Sequence, residues 1–499
     1  MKRASYPADS LAAWLHLNEV VANGVTFQKT GSVDADSDKG NAIVATESWV
    51  SNESDAEPTI LLRVPADLIL SLETVHDHAK SDHHLREVLE LREALALPDI
   101  PQTIGVSSPW ADYVKFFPER FPLPTFYSDE EISLLKGTSL ESPLASKVAA
   151  LQREFEHLRQ ATESIPWCRQ CWWDEDTGKL TLHDWLYVDA AYRSRMLDLP
   201  GIGHAMVPCI DMANHAGEKK AKALYDMDAA GRVILQLRWG QSVHQGEEVT
   251  ISYGDEKSAS EMFFTYGFLP DDLSDAKQVM LDMTFPDDDP LAVAKNMLCH
   301  KDPGVKIVAR EDEDQASGSA PQIYWESQIL WWASVNEEDG LHIGVAQRMD
   351  GTKELEATWK DKKIESPGQL QEFLASDPSW DIFQLRAVVL LLDQVETLLA
   401  SSHQFDNIMD RIHDDEILTG MHVRPGIITE IFKLRELEGI LMQRAVQTLT
   451  SQISSVTIPD EAFADPPPDE AQNGAMVHRH IGIRSGKIRS AGLWKRHDP

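Results

Sequence analysis

At 499 residues the chain exceeds the size at which one hydrophobic core keeps growing, and 42% apolar residues are ample for the two or three domains that length implies. Its 46 Lys and Arg against 81 Asp and Glu leave a net charge of −35. This excludes nucleic-acid phosphates and anionic membranes as general partners, because such binding draws on clustered positive charge, and it suits a basic protein partner better.

The N-terminus has two basic residues but reaches Asp9 before any apolar core, so a secretory signal is not expected. Nor is a membrane helix: the best apolar run, Ala387 to Leu392, is cut by Asp393 and Gln394, far short of the roughly 20 residues required. Four cysteines fit a reducing compartment. The expectation is an intracellular monomer, cytoplasmic or nuclear.

Leu11 to Val21 has the periodicity of a short amphipathic helix, stopped at Asn23-Gly24. Ala42 to Ala45 and Thr59 to Val64 are β-favouring runs separated by a polar excursion. From Leu68 to Gln160 the character is helical, most clearly over Leu85 to Leu97 and Ser146 to Ile165. Between them Pro101 to Thr125 is rich in Pro and aromatics, among them Trp110, Tyr113 and Phe117, a composition suited to packing one subdomain on another.

The stretch Val207 to Phe268 holds the most chemistry. Pro208-Cys-Ile-Asp-Met-Ala-Asn-His215 sets Asp, Asn and His among buried-type residues, so its polar groups require partners. Gly231 to Leu237 and Val249 to Gly254 are expected strands, and Ser258 to Thr265 a short helix closing on Tyr266-Gly-Phe268. Tyr225, Tyr253, Tyr266 and Phe268 are placed to converge on the polar segment, and Tyr253 precedes a Gly at a strand end, where side chains often face a cleft.

Gln278 to Phe285 is strand-like, and Pro286 to Pro290 is a charged break. Beyond it, Glu311 to Ala320 is an expected acidic surface loop, and Ile382 to Ser401, Phe405 to Leu418 and Gly426 to Val456 read as antiparallel helices. Pro459 onward, with Pro466-Pro-Pro468 and a basic Ile483 to Arg496, reads as a disordered tail.

Cys168-Arg-Gln-Cys171 has the spacing of half a zinc site. Cys209 and Cys299 are isolated, however, and His83-His84 lies far off in the sequence. With Trp167, Trp172 and Trp173 around them, the thiols are expected to be buried and inert, and no metal is expected.

Together, Lys39-Gly-Asn-Ala-Ile-Val-Ala45, Leu62 to Ser71, Trp110 to Pro124, Ser194-Arg195, Asn214-His215, Tyr253-Gly254 and Ser258-x-x-Glu261 through Phe268 resemble, in order, the SET-domain protein methyltransferases of the Rubisco large-subunit methyltransferase type. The resemblance implies an α+β fold: a SET β-fold interrupted by a helical insertion, followed by an all-α substrate-binding domain. Its divisions would fall at 1–80 and 194–290 for the two parts of the SET domain, 81–193 for the insertion, 291–458 for the helical domain and 459–499 for the tail.

It also implies an S-adenosylmethionine-dependent protein-lysine N-methyltransferase acting on a non-histone protein, with a ribosomal protein or translation factor as a reasonable basic substrate. Lys39, Gly40, Asn41, Arg195, Asp211, Asn214 and His215 would hold the methyl donor. Tyr253 would be the catalytic residue, and Tyr225, Tyr266, Phe268, Leu197 and Ile210 would line the substrate channel. Ala42 stands where the family usually has a second glycine. Two alternatives accompany this reading: a protein-histidine methyltransferase, disfavoured because the apolar Leu197 and Ile210 offer a ring nitrogen no hydrogen bond, and a catalytically silent SET fold used as a binding module.

Overall fold

A computed structural model describes residues 5–29, 40–52, 57–94, 108–174, 180–286, 288–299, 304–310, 321–347, 353–412 and 423–455. Lys39, the acidic run 311–320 and everything from 456 onward lie outside them. Residues Met1–Val456 form one compact unit.

The N-terminal half is built from short antiparallel strands. β1 (Val21–Ala22) and β2 (Val25–Lys29) flank a turn in which Gly24 takes φ +61°, a left-handed conformation that costs glycine little. β2 pairs with β3 (Asn41–Ala45), Phe27 opposite Ile43. β4 (Trp49–Val50) pairs with β11 (Ser242–Val243). β5 (Ile60–Val64), β9 (Ala223–Met227) and β10 (Val233–Leu237) form a sheet in the order β1-β5-β10-β9, in which Leu235 faces Leu62 on one side and Tyr225 on the other. β6 (Leu70–Ser71), β7 (Leu197–Leu199) and β8 (Gly203–Met206) make a further small sheet in the order β6-β8-β7.

The aromatic segment packs as its composition predicts. The Trp110 indole donates to Leu68 O at 3.0 Å and Trp14 to Pro109 O at 3.1 Å, while Tyr113 is surrounded by Trp14, Trp110 and Phe117. These contacts join the segment 108–117 to the helix Leu11–Leu17 and the turn Ala66–Leu68, and one apolar core, from Leu11 to Ile251, includes residues of all three.

Val249 to Gly254 is not a regular strand. It is an extended segment held by single bridges, Val44 to Glu248 and His215 to Ile251, and by Val249 N–H to Ile43 O at 2.8 Å. It runs between β3 and residues 214–216, with Ala216 N–H donating back to Ile251 O at 2.9 Å.

The C-terminal part also departs from expectation, since it is not all-α. β12 (Gln278–Leu281), β13 (Val305–Arg310) and β14 (Gln322–Glu326) form one antiparallel sheet, and β15 (Leu341–Gln347), β16 (Lys353–Trp359) and β17 (Lys362–Ile364) another. The two helices expected over 382–401 and 405–418 are continuous as one, Trp380–Ile412, packed against Pro425–Ser455. A second core joins these helices to Leu134, Leu144 and Phe263, so it draws on segments either side of residue 290.

The cysteine expectation holds by half. Cys168 is buried, and burial pushes its thiol up to about 12, but Cys171 is exposed.

Candidate functional site

The polar segment 207–215 is anchored from the helical insertion. Cys209 adopts φ +72°, rare for a residue with a Cβ, and its N–H donates to the Tyr113 hydroxyl at 2.6 Å. That hydroxyl donates in turn to Asp211 Oδ1, and Asp211 Oδ2 accepts from Arg195 Nη1 at 3.1 Å. The pair is almost completely removed from solvent, Asp211 at 0% and Arg195 at 9% side-chain exposure. Desolvation raises the Asp211 carboxyl, opposed by Arg195 and by the Tyr113 hydrogen bond. Both Asp211 oxygens are thus committed to the protein. Asp211 lines the larger cavity and ion-pairs with Arg195, whose guanidinium also lies over Phe117 at 4.7 Å.

Gly40 (φ +79°) approaches from the other side; a Cβ there would lie 3.6 Å from Arg195 Nη2. Asn41 donates to Phe116 O at 3.2 Å. Ala42, the departure from the family pattern, is extended in β3, fully buried and absent from the cavity lining, so its methyl faces the core and leaves the pocket open.

Asn214 donates to Glu248 Oε1 at 2.5 Å, and the N–H of Tyr253 donates to His215 Nδ1 at 3.1 Å. An acceptor at Nδ1 leaves any imidazole proton on Nε2. Burial lowers the His215 pKa, favouring that neutral ring. The rings of His215 and Tyr253 lie 5.2 Å apart, Tyr253 and Tyr266 4.4 Å, and His215 and Phe268 6.1 Å. The Tyr253 hydroxyl donates to Ala213 O at 2.9 Å; burial pushes its pKa well above the ordinary value, and that of Tyr266 up to about 12.

Two cavities meet on this array. The larger, about 310 Å³, is lined by Asn41, Asn214, His215 and Phe268 together with Arg195, Asp211, Tyr253 and Tyr266. The smaller, about 100 Å³, is lined by Leu197, Ile210 and Tyr225 and shares Ser194, Arg195, Asp211, Tyr253 and Tyr266 with the first. Every sequence-identified residue within the described part except Gly40 lines one or both. Phe268, expected in the channel, lies in the larger cavity beside His215.

Other lining residues escaped the sequence reading. Tyr127, just after the turn Pro124–Phe126, and Gly426 and Glu430, on the helix Pro425–Ser455, line the larger cavity, and Asp198, His204 and Lys257 line the smaller. Asp198 and His204 are a register pair of β7 and β8, which no linear motif announces. A more open groove of about 620 Å³ near Trp325, Trp331 and Trp380 contains none of the residues singled out in the sequence. Its titratable side chains are Lys306, Tyr324 and Glu326.

Residues 201–291 match a family model described as cytochrome c lysine N-methyltransferase 1. A SET domain-containing protein 8 of Schizosaccharomyces pombe is 26% identical over 387 residues, covering 75% of this chain and 83% of that protein. A chloroplastic fructose-bisphosphate aldolase-lysine N-methyltransferase of Arabidopsis thaliana is 27% identical over 254 residues, 49% of each chain. The Rubisco large-subunit N-methyltransferase of Nicotiana tabacum is 27% identical over 36% of this chain and 37% of its own.

Among solved structures, the SET domain of Rubisco large-subunit methyltransferase (LSMT) bound to lysine and AdoHcy aligns over 91% of this chain and 94% of its own, with a TM-score of 0.54 at 16% identity. Rubisco LSMT bound to AdoMet aligns over 90% and 93%, with a TM-score of 0.52 at 16% identity. The resemblance to SET-domain lysine methyltransferases of this type is borne out, and the α+β fold class with it.

Proposed function

We propose that this chain is an S-adenosylmethionine-dependent protein-lysine N-methyltransferase whose substrate is a non-histone protein. The observation that carries the reading is the meeting of a larger and a smaller cavity at Tyr253, flanked by Arg195 and Tyr266. Methyl transfer is an in-line displacement in which the N–C bond forms as the S–C bond breaks, so donor and amine must approach one carbon from opposite sides. Two cavities sharing one wall supply that arrangement.

The residues present fit an amino-acid-like donor. Arg195, immobilised by Asp211 and Phe117, lines both cavities as a cation suited to a carboxylate. Asn41, Asn214 and His215 line the same space from β3 and the polar segment, and Gly40 lies beside Arg195. The donor, when bound, supplies the electrophilic methyl.

Tyr253 donates its proton to Ala213 O and lines both cavities, so its oxygen keeps lone pairs from which an ammonium or a methyl bearing positive character would gain. A phenol held neutral by burial does not act as the base. The amine loses its proton to solvent before attack; Leu197, Ile210 and Tyr225 desolvate it and favour its neutral form, while Asp198, His204 and Lys257 line the same smaller cavity.

The substrate reading rests on charge and on relatives. A chain of net charge −35 suits a basic partner such as a ribosomal protein or translation factor. The relatives' names give aldolase, the Rubisco large subunit and cytochrome c as their targets, all non-histone proteins. The domain divisions, the monomeric state and a cytoplasmic or nuclear location belong to the same proposal; no helix among the described residues is long and apolar enough to cross a membrane.

Incubating the purified chain with labelled donor and a methylation-deficient lysate tests this. Label on a discrete protein supports it. Failure both to bind the donor and to label any protein favours the silent binding module.

A further inference from the structure

The helix His83–Ala94 begins with two adjacent histidines, and Glu87 follows one turn later. Spacings of four residues from His83 and three from His84 set all three side chains on neighbouring positions of one helical face. One ligand atom from each lies within 4.8 Å of the others, and no other group of three or more His, Cys, Asp and Glu among the described residues meets that condition. We propose that His83, His84 and Glu87 form a binding site for a divalent first-row transition metal ion, with zinc as the ion to test.

Two imidazoles and a carboxylate are a ligand set that zinc accepts, with a fourth position left for water. The positive end of the helix would oppose a cation, but the Asp82 carboxylate caps it, accepting from His84 N–H at 2.9 Å and Leu85 N–H at 3.1 Å and placing a negative charge there. His83 and His84 are exposed, and the His84 ring lies on one side against Trp167 at 5.2 Å, itself 5.0 Å from Trp172. A ring contacted on one face loses somewhat less freedom on ligation than one with no neighbour.

The fold thereby joins two features that are remote in the sequence: the histidine pair lies against the segment that carries Cys168 and Cys171. Cys168 is buried, whereas Cys171 is exposed beside the Trp167–Trp172 wall. The three-ligand site needs neither thiol. It is also independent of the methyl-transfer reading, lying outside both cavities.

The test uses the full, tag-free chain stripped of metal and titrated with Zn²⁺ against a chromophoric chelator. One ion per chain is expected. His83→Ala/His84→Ala is expected to weaken binding on the order of a hundredfold, and Cys171→Ser to leave the stoichiometry unchanged. Glu87→Gln, expected to weaken binding about tenfold, keeps the test informative should the double variant fail to fold. Undiminished zinc binding in the double variant, loss of binding in Cys171→Ser alone, or no binding by the parent chain overturns the proposal.

Discussion

The Tyr253 hydroxyl donates to the carbonyl oxygen of Ala213 at 2.9 Å, across forty residues of chain. Together with the bond from Tyr253 N–H to His215, it fixes the phenol against the polar segment that frames the larger cavity.

Tyr253→Phe is expected to lower kcat by about a hundredfold or more, the usual cost of losing one oriented transition-state group. Only about 1 kcal/mol of stability should go with the lost hydrogen bond. Donor titration and thermal melting should show near-normal affinity and fold, and a variant with full turnover would remove Tyr253 from the mechanism.

Asp211→Ala strands Arg195 as a buried, unpaired cation and should cost roughly 3–5 kcal/mol. Arg195→Met/Asp211→Leu removes both charges, so melting should recover much of that loss while donor binding stays abolished. Equal donor affinity in the double variant and the parent would show that Arg195 does not hold the donor.

Gly267→Ala tests the helix exit that aims Tyr266 and Phe268. Gly267 takes φ +80°, and a Cβ would sit 2.6 Å from Pro122 O. The strain should cost about 1–3 kcal/mol and displace both aromatics, read as a lowered Tm together with weaker donor binding.

Glu438 gives a pH signature. It is buried and accepts two hydrogen bonds from Ser139, from its N–H at 3.1 Å and from its hydroxyl. Burial raises its carboxyl from 4.5 to about 7. The folded state therefore holds a proton that the unfolded state releases, so stability falls as pH rises from about 4.5 to 7 and is level above. The total is on the order of 3 kcal/mol. Glu438→Gln should flatten this slope in denaturant titrations across that window; an unchanged slope assigns it elsewhere.

The ordered motifs around Asn214, His215, Tyr253 and Tyr266 were legible because each element is local: a strand, an extended crossing or a short helix with its own turn signal. The support behind them was not. Tyr113 and Asp211 are 98 residues apart, and Gly426 and Glu430 reach the larger cavity from a helix whose periodicity announces only its core face. The strands β13 to β17 were hidden because they are three to seven residues long, with mixed burial and intervening polar runs, where a short apolar pattern does not separate strand from helix. The exposure of Cys171 was likewise concealed by its tryptophan neighbours, which pack against one another and leave the thiol outside.

The central claim, that the two cavities deliver a methyl group to a lysine amine at Tyr253, is tested most directly by complete hydrolysis of the labelled product protein and chromatography of its amino acids. The account predicts label in N-methylated lysine from the parent chain and its near-disappearance with Tyr253→Phe. Label in methylhistidine, or equal labelling by the two chains, would contradict it.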